Sequence, residues 1–256
     1  MSLRAPVRLA LGRAADDGAH ARVLRVGQAS RSGLGKVNED ACGVADPDES
    51  GRALRGYALA IADGVGTDGG GRIASQAAVH AVLHDLYATP AQWTLPQALD
   101  RVLVSINDWL HARNARQPED DGAVTTLTLM LISADRWRLA HVGDTRAYRW
   151  RDPQWRQLTA DHTWPRRDMR HVLKRALGLD THVVIDQDGG PLEAGDRFLL
   201  ASDGVWEVLG ERALRDLVGR ASDPQVAADA LVSQALEKQG LYMGRNDASA
   251  VVAMVD

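Results

Sequence analysis

The sequence predicts a segregated α+β domain, and three observations carry that prediction. Strand-like runs between residues 124 and 158 follow one another with short polar breaks, a spacing that suits antiparallel neighbours and leaves no room for parallel crossovers. Two amphipathic helical stretches stand side by side just before them, so helices and strands come in groups and do not alternate as βαβ units. No linker, repeat or low-complexity tract divides the 256 residues. One domain over 1–256 is therefore expected, with 1–20 as a loose N-terminal extension.

Taken in order, β-branched or alternating residues mark strands at 22–28, 57–62, 124–133, 136–142, 146–150, 197–202 and 249–255. Breaks at Ala134-Asp135, Gly143-Asp144 and Asp152-Pro153 make the 124–158 region read as one antiparallel meander. Residues 72–87 place Val79, Val82, Leu83 and Leu86 on one helical face, and 96–114 do the same with Leu99, Val102, Leu103, Ile106 and Leu110. A third helix, 224–239, has Asp223 as its N-cap, Pro224 in its first turn and Gly240 as its stop.

Composition narrows the function. With 45% hydrophobic and 25% charged residues the chain is an ordinary globular one. A net charge of −4 and arginines scattered without a basic block argue against nucleic acid. The single cysteine, Cys42, rules out an internal disulfide, fits a reducing compartment and reads as a small apolar residue. The first residues are too charged for a signal peptide, and no run reaches the ~20 apolar residues of a membrane span. The expectation is a cytoplasmic protein with no membrane partner.

One local event recurs. In YALAIADGVG an apolar run stops at Asp63-Gly64; in FLLASDGVW another stops at Asp203-Gly204. Asp144 follows Val142-Gly143, and Asp247 precedes the strand-like ASAVVAMV. A single Asp-Gly pair is a turn signal. Four aspartates at strand ends, joined by Asn38-Glu39-Asp40, form a pattern. Carboxylates collected at neighbouring strand ends repel one another, and hard divalent cations such as Mg²⁺ or Mn²⁺ supply the missing charge.

Three local motifs offer rival readings. Gly64-Val65-Gly66-Thr67-Asp68-Gly69 matches the dinucleotide fingerprint G-x-G-x-x-G between a strand and a helix, yet a second helix follows where the next parallel strand should stand. An aspartyl-phosphate nucleophile lacks its partner acid, because Val65 lies two residues after Asp63. His80 and His84 have a zinc-compatible i, i+4 spacing, but Ala81 stands where a zinc protease needs Glu, so a solvated helix face is expected.

The ordered stretches VNEDA (37–41), ADGVG (62–66), GAVTTLTLMLI (122–132), HVGDTRAY (141–148), LTADHT (158–163), KRALG (174–178), LLASDGVWEVL (199–209) and NDASAVVAMV (246–255) resemble the metal-dependent protein serine/threonine phosphatases of the PP2C (PPM) type, in their bacterial form. They run from about 24 to 255. The resemblance implies a four-layer α-β-β-α sandwich, two antiparallel sheets flanked by helix pairs, with a metal cluster at one edge. It implies two tight Mn²⁺ or Mg²⁺ sites and a weaker third. By position, Asp63 would bridge two metals, the Gly64 carbonyl would bind the second, and Asp203 and Asp247 would hold the first. Glu39 and Asp40 would anchor the second metal or its waters, and Asp144 with Asp203 would form the third site. Catalysis would rest on Asp63, Asp203 and Asp40, with phosphoprotein substrates, a cognate serine/threonine kinase and a monomeric chain.

The chain also departs from that pattern. Val65 occupies a position where some members carry His, and Ala248 follows Asp247 where Asn is common. Lys36 is the nearest candidate for the phosphate-gripping arginine and would act as a point charge. Only 163–174 separate His162 from Arg175, so the substrate-touching flap is short. Arg166, Arg167, Arg170 and Lys174 make that segment basic, as a solvated helix face or a docking patch.

Overall fold

Three apolar layers set the architecture. The computed structural model describes residues 7–11, 22–116, 122–165, 169, 172–241 and 245–256. In chain order the elements are β1 (Val7–Ala10), β2 (Val23–Arg31), β3 (Asp40–Ala45), α1 (Glu49–Arg55), β4 (Tyr57–Val65), α2 (Gly70–Ala88) and α3 (Leu95–Asn114). Next come β5 (Val124–Thr125), β6 (Leu127–Ile132), β7 (Arg136–Val142), β8 (Arg146–Arg151), β9 (Gln154–Gln157), β10 (Asp186–Pro191) and β11 (Arg197–Ala201). The chain closes with α4 (Asp203–Leu209), α5 (Glu211–Arg220), α6 (Pro224–Leu241) and β12 (Ala248–Val255).

The strands build two sheets, ordered β1-β2-β12-β11-β8-β9 and β10-β7-β6-β4-β3, with β5 beside β4. The pairs that hold the centres of both sheets are antiparallel. Between the sheets lie Leu24, Ile61, Met130, Phe198 and Val251. A second layer packs Ala60 and Leu129 against Val82, Leu103 and Leu110 of α2 and α3. The third sets Leu199 and Val252 against Leu214 and Leu231 of α5 and α6. Four layers result, helices outside and sheets within. Central strands are covered on both faces, which is why β6 and β12 are buried at every residue and read as continuous apolar runs.

Local chemistry agrees with the helices. Thr94 and Gln97 close a capping box at the start of α3. The Asp223 carboxylate accepts from the amides of Gln225 and Val226, as the N-cap reading requires. The all-buried face of α3 carries Leu99, Val102, Leu103, Ile106 and Leu110.

The structure corrects several readings. The meander is two hairpins in different sheets: β6 pairs β7 in one, β8 pairs β9 in the other. Residues 143–145 connect them, and three residues reach about 10 Å when extended, the spacing of stacked sheets. A short polar break cannot reveal whether it turns within a sheet or crosses between two. Asp63 does not end its strand, since β4 runs to Val65. Asp203 opens a helix, with Ser202 as N-cap. β9 and β10 carry too few apolar residues to announce themselves, and β3 is a short run of small residues interrupted by Gly43. Val7–Ala10, inside the stretch read as an extension, pairs with β2 and buries Leu9.

Candidate metal centre and phosphate site

The two sheets meet at one edge in a pocket of about 200 Å³ lined by Lys36, Glu39, Asp63, Gly64, Val65, Thr126, Asp144, Leu173, Asp203, Asn246 and Asp247. Six of the seven residues expected at the metals line it, and the seventh, Asp40, sits just behind. A larger hollow of about 1050 Å³ between α1 and α2 holds none of them.

β3 and β4 pair so that Asp40 stands directly opposite Asp63. Like charges across an antiparallel pair are destabilising, so this register costs stability. The backbone of Asp63 is fixed from the neighbouring strand: its amide donates to Thr126 Oγ1 at 2.8 Å, and its carbonyl accepts from Thr126 N at 2.9 Å. Gly64 donates its amide to the Glu39 carbonyl at 3.2 Å. A Cβ at Gly64 would fall 1.9 Å from the Gly71 carbonyl oxygen, so only glycine lets α2 approach β4 here.

Three elements bring the other acids. The β7–β8 turn presents Asp144, the first turn of α4 presents Asp203, and Asp247 stands just before β12. Buried Asp247 accepts from Gly33 N and Glu39 N, both at 2.8 Å, and pairs with Lys36 Nζ at 3.1 Å. Lys36 also lies 3.8 Å from Glu39. The buried Asp40 carboxylate accepts from Ser202 Oγ at 2.8 Å. Asn246 Nδ2 donates to Asp203 at 3.2 Å.

The electrostatics are those of acids crowded together. Burial, followed by the nearby Asp40, Asp203 and Asp144 carboxylates, drives Asp63 far above the usual carboxylate range. Burial pushes Asp40 up to about 7, against the pull of Ser249 and Ser202. Asp144 is likewise raised to about 7, by burial and then by Asp203. The donor set suits hard divalent cations: it is all oxygen and strongly negative, and Asp40 Oδ1 and Glu39 Oε1 are buried with no hydrogen-bond partner. Among the described residues no three His, Cys, Asp or Glu side chains stand close enough together to hold a cation as they lie; Asp247 is engaged by backbone amides and Asp40 by Ser202.

The rival motifs fall away. β4 is flanked by antiparallel partners on both sides, which removes the βαβ setting a dinucleotide needs. His80 and His84 lie with ring centroids 4.3 Å apart, tilted by 33°, on an exposed face of α2. Burial pushes the Cys42 thiol up to about 12, so it is no nucleophile near neutral pH. Of the basic segment, Arg166, Arg167 and Arg170 lie outside the described residues. Thr163 and Leu173 form a β-bridge that closes the short flap, and Lys174 is exposed.

A family model described as Protein phosphatase 2C matches residues 27–239. The chain belongs to that family. The serine/threonine protein phosphatase PstP of Mycobacterium tuberculosis is 30% identical over 236 residues, 85% of this chain; the chain spans 43% of PstP's length. The phosphatase Stp of Listeria monocytogenes is 25% identical over 193 residues, 68% of this chain and 77% of Stp. The crystal structure of the PstP catalytic domain in complex with two manganese ions superposes with a TM-score of 0.74 at 30% identity, covering 91% of this chain and 99% of that one.

Sequence reasoning missed the supports of this PP2C site. Ser202 holds Asp40, Thr126 holds Asp63, and Leu173 enters the pocket from the flap. Ser202 precedes the Asp203-Gly204 pair and had a readable signal as a helix N-cap. Thr126 and Leu173 had none, because their contacts join residues far apart in sequence.

Proposed function

We propose that the chain is a Mn²⁺- or Mg²⁺-dependent protein phosphatase acting on phosphoserine and phosphothreonine, opposing a serine/threonine kinase in the cytoplasm. The observation that carries the reading is Asp40 placed directly opposite Asp63, beside Asp203, Asp144 and Asp247. A binding module would have no reason to keep so costly an arrangement. Its PP2C relatives PstP and Stp are described as serine/threonine phosphatases.

Asp63 would bridge two cations, with Asp203 and Asp247 on the first and the Gly64 carbonyl, Glu39 and Asp40 toward the second. Asp144 with Asp203 would hold a weaker third. When bound, such cations lower the pKa of water and neutralise phosphoryl oxygens, so hydrolysis needs no phosphoenzyme. The chain's own part is to aim oxygen donors: Thr126 locks Asp63, and Ser202 turns one Asp40 oxygen away and leaves the other free. Lys36, on the pocket wall, would pair with a substrate phosphoryl oxygen as a point charge. The small pocket admits a phosphoryl group while the rest of the substrate stays outside.

The test is phosphate release from phosphoserine and phosphothreonine peptides. Release should vanish in excess chelator and return with Mn²⁺ or Mg²⁺, and the metal should raise Tm because it binds only the folded cluster. Full turnover in chelator would overturn the metal-dependent reading.

A further inference from the structure

The Asp144 turn is gripped from two directions by groups the reaction does not itself need. Gly143 adopts a φ of +106°, and a Cβ there would lie 2.5 Å from the Thr126 side chain, so only glycine fits this turn. The Gly143 amide donates to His162 Nδ1 at 3.1 Å, and the Gly143 carbonyl accepts from the His162 amide at 2.8 Å. An Nδ1 that accepts leaves the ring proton on Nε2, which donates to Asp186 Oδ2 at 3.0 Å. Arg175 donates to the other Asp186 oxygen at 3.1 Å, and its 3.3 Å approach to Nε2 is two donors converging on one carboxylate.

The second grip is on Asp144 itself. Its carbonyl accepts from Trp206 Nε1 at 3.0 Å. The Arg146 guanidinium lies 3.4 Å over the Trp206 ring and makes a two-pronged pair with Asp161 at 2.8 and 2.6 Å. Both grips are thus anchored on consecutive residues, Asp161 and His162. The same His162 carbonyl accepts from Lys174 N at 2.7 Å, where the flap returns.

We propose that the Asp161–His162 pair is a clamp that positions the Asp144 carboxylate, with Asp186 fixing the His162 tautomer and Trp206 fixing the Asp144 carbonyl. This rests on the reading of Asp144 as a cation ligand. Asp186, His162 and Trp206 are positioning residues that act through the turn and touch no substrate. The prediction is selective: loosening the clamp weakens cation binding at Asp144 and leaves peptide KM unchanged.

Two substitutions separate the clamp from general folding. Asp186→Asn keeps an oxygen to accept from Nε2–H, whereas Asp186→Ala removes it. Trp206→Phe keeps a ring under Arg146 and removes the indole donor. The first readout is made on metal-free protein by ¹⁵N NMR. In the parent, His162 should carry its proton on Nε2, and the Gly143 amide should exchange at least about tenfold faster in Asp186→Ala than in parent or Asp186→Asn. The second is Mn²⁺ binding by calorimetry: the weakest site should lose about tenfold in affinity in Asp186→Ala and in Trp206→Phe, with no further loss when either is added to Asp144→Asn.

A proton on Nδ1 in the parent would overturn the proposal. Equal effects of Asp186→Ala and Asp186→Asn would do so as well, and so would an unchanged loss in the Asp144→Asn background. Failure of the parent to hydrolyse phosphopeptides would remove the phosphatase reading instead, and the NMR and Mn²⁺ titrations would still judge the clamp.

Discussion

Two groups of buried acids in this molecule have opposite fates. Asp196, fully buried beside β11, receives Arg151 through Nε and Nη2, each at 2.7 Å, and the Glu193 amide at 2.9 Å. Asp40, Asp63 and Asp144 are buried facing other acids of the cluster, and burial and those neighbours hold their protons well above the usual carboxylate range. Burial is common to both groups. The difference is whether the fold supplies the counter-charge. Where it does, the acid ties two segments together; where it does not, the acid waits for a charge from outside.

Substitutions should separate the two groups, and the largest effect belongs to the pocket. Asp63→Asn should lower kcat by at least ~10³ in saturating Mn²⁺, since the proposed bridge is lost. In metal-free protein the same change should be neutral or stabilising, because it relieves repulsion. A metal-free variant melting well below its metal-free parent would show that Asp63 has the structural role of an Asp196. Arg151→Leu should do the reverse. It strands Asp196 without its cation and should cost about 3 kcal/mol by denaturant titration, while kcat of the folded fraction stays within twofold of the parent. An unchanged unfolding midpoint would break the comparison from that side.

Acidity sharpens the contrast. Asp40 and Asp144 hold protons to about pH 7 in the folded chain but have a reference value of 3.8. Between those limits unfolding releases protons, so the contribution of these two groups to metal-free stability should fall as pH rises and level off above about 7. His141 acts in the opposite sense: burial lowers it from 6.5 to about 4, so its contribution grows with pH across that window. Subtracting the Asp144→Asn profile from that of the parent cancels His141. Tm measured in chelator from pH 5 to 8 should show a steeper decline for the parent than for Asp144→Asn, and the opposite order would refute the account.

The smallest effect concerns substrate choice. The short flap contributes Leu173 to the pocket, with Val65 as the other apolar wall. So little surface should hold kcat/KM differences among flanking sequences to about tenfold, near 1.4 kcal/mol. If Lys174 and its basic neighbours in sequence dock substrate, acidic flanks should be preferred and the preference should fade with salt. A hundredfold preference among peptides with neutral flanks would reveal contacts beyond this pocket.

The sequence by itself determined the elements whose signal is local. Apolar periodicity marked α2 and α3, and β6, β11 and β12 showed as apolar runs because layers cover both their faces. The ordered motifs also picked out the acids, since each stands beside a strand or helix start that the pattern makes visible. Tertiary structure alone decided which sheet each strand joins, because Gly143–Thr145 crosses between sheets in a stretch that reads like any turn. It alone placed Asp40 against Asp63 and gave Asp196 its arginine. Those outcomes depend on register and on contacts across tens of residues. No periodicity encodes them, because a side chain's charge is written in the sequence but its neighbours' charges are written in the fold.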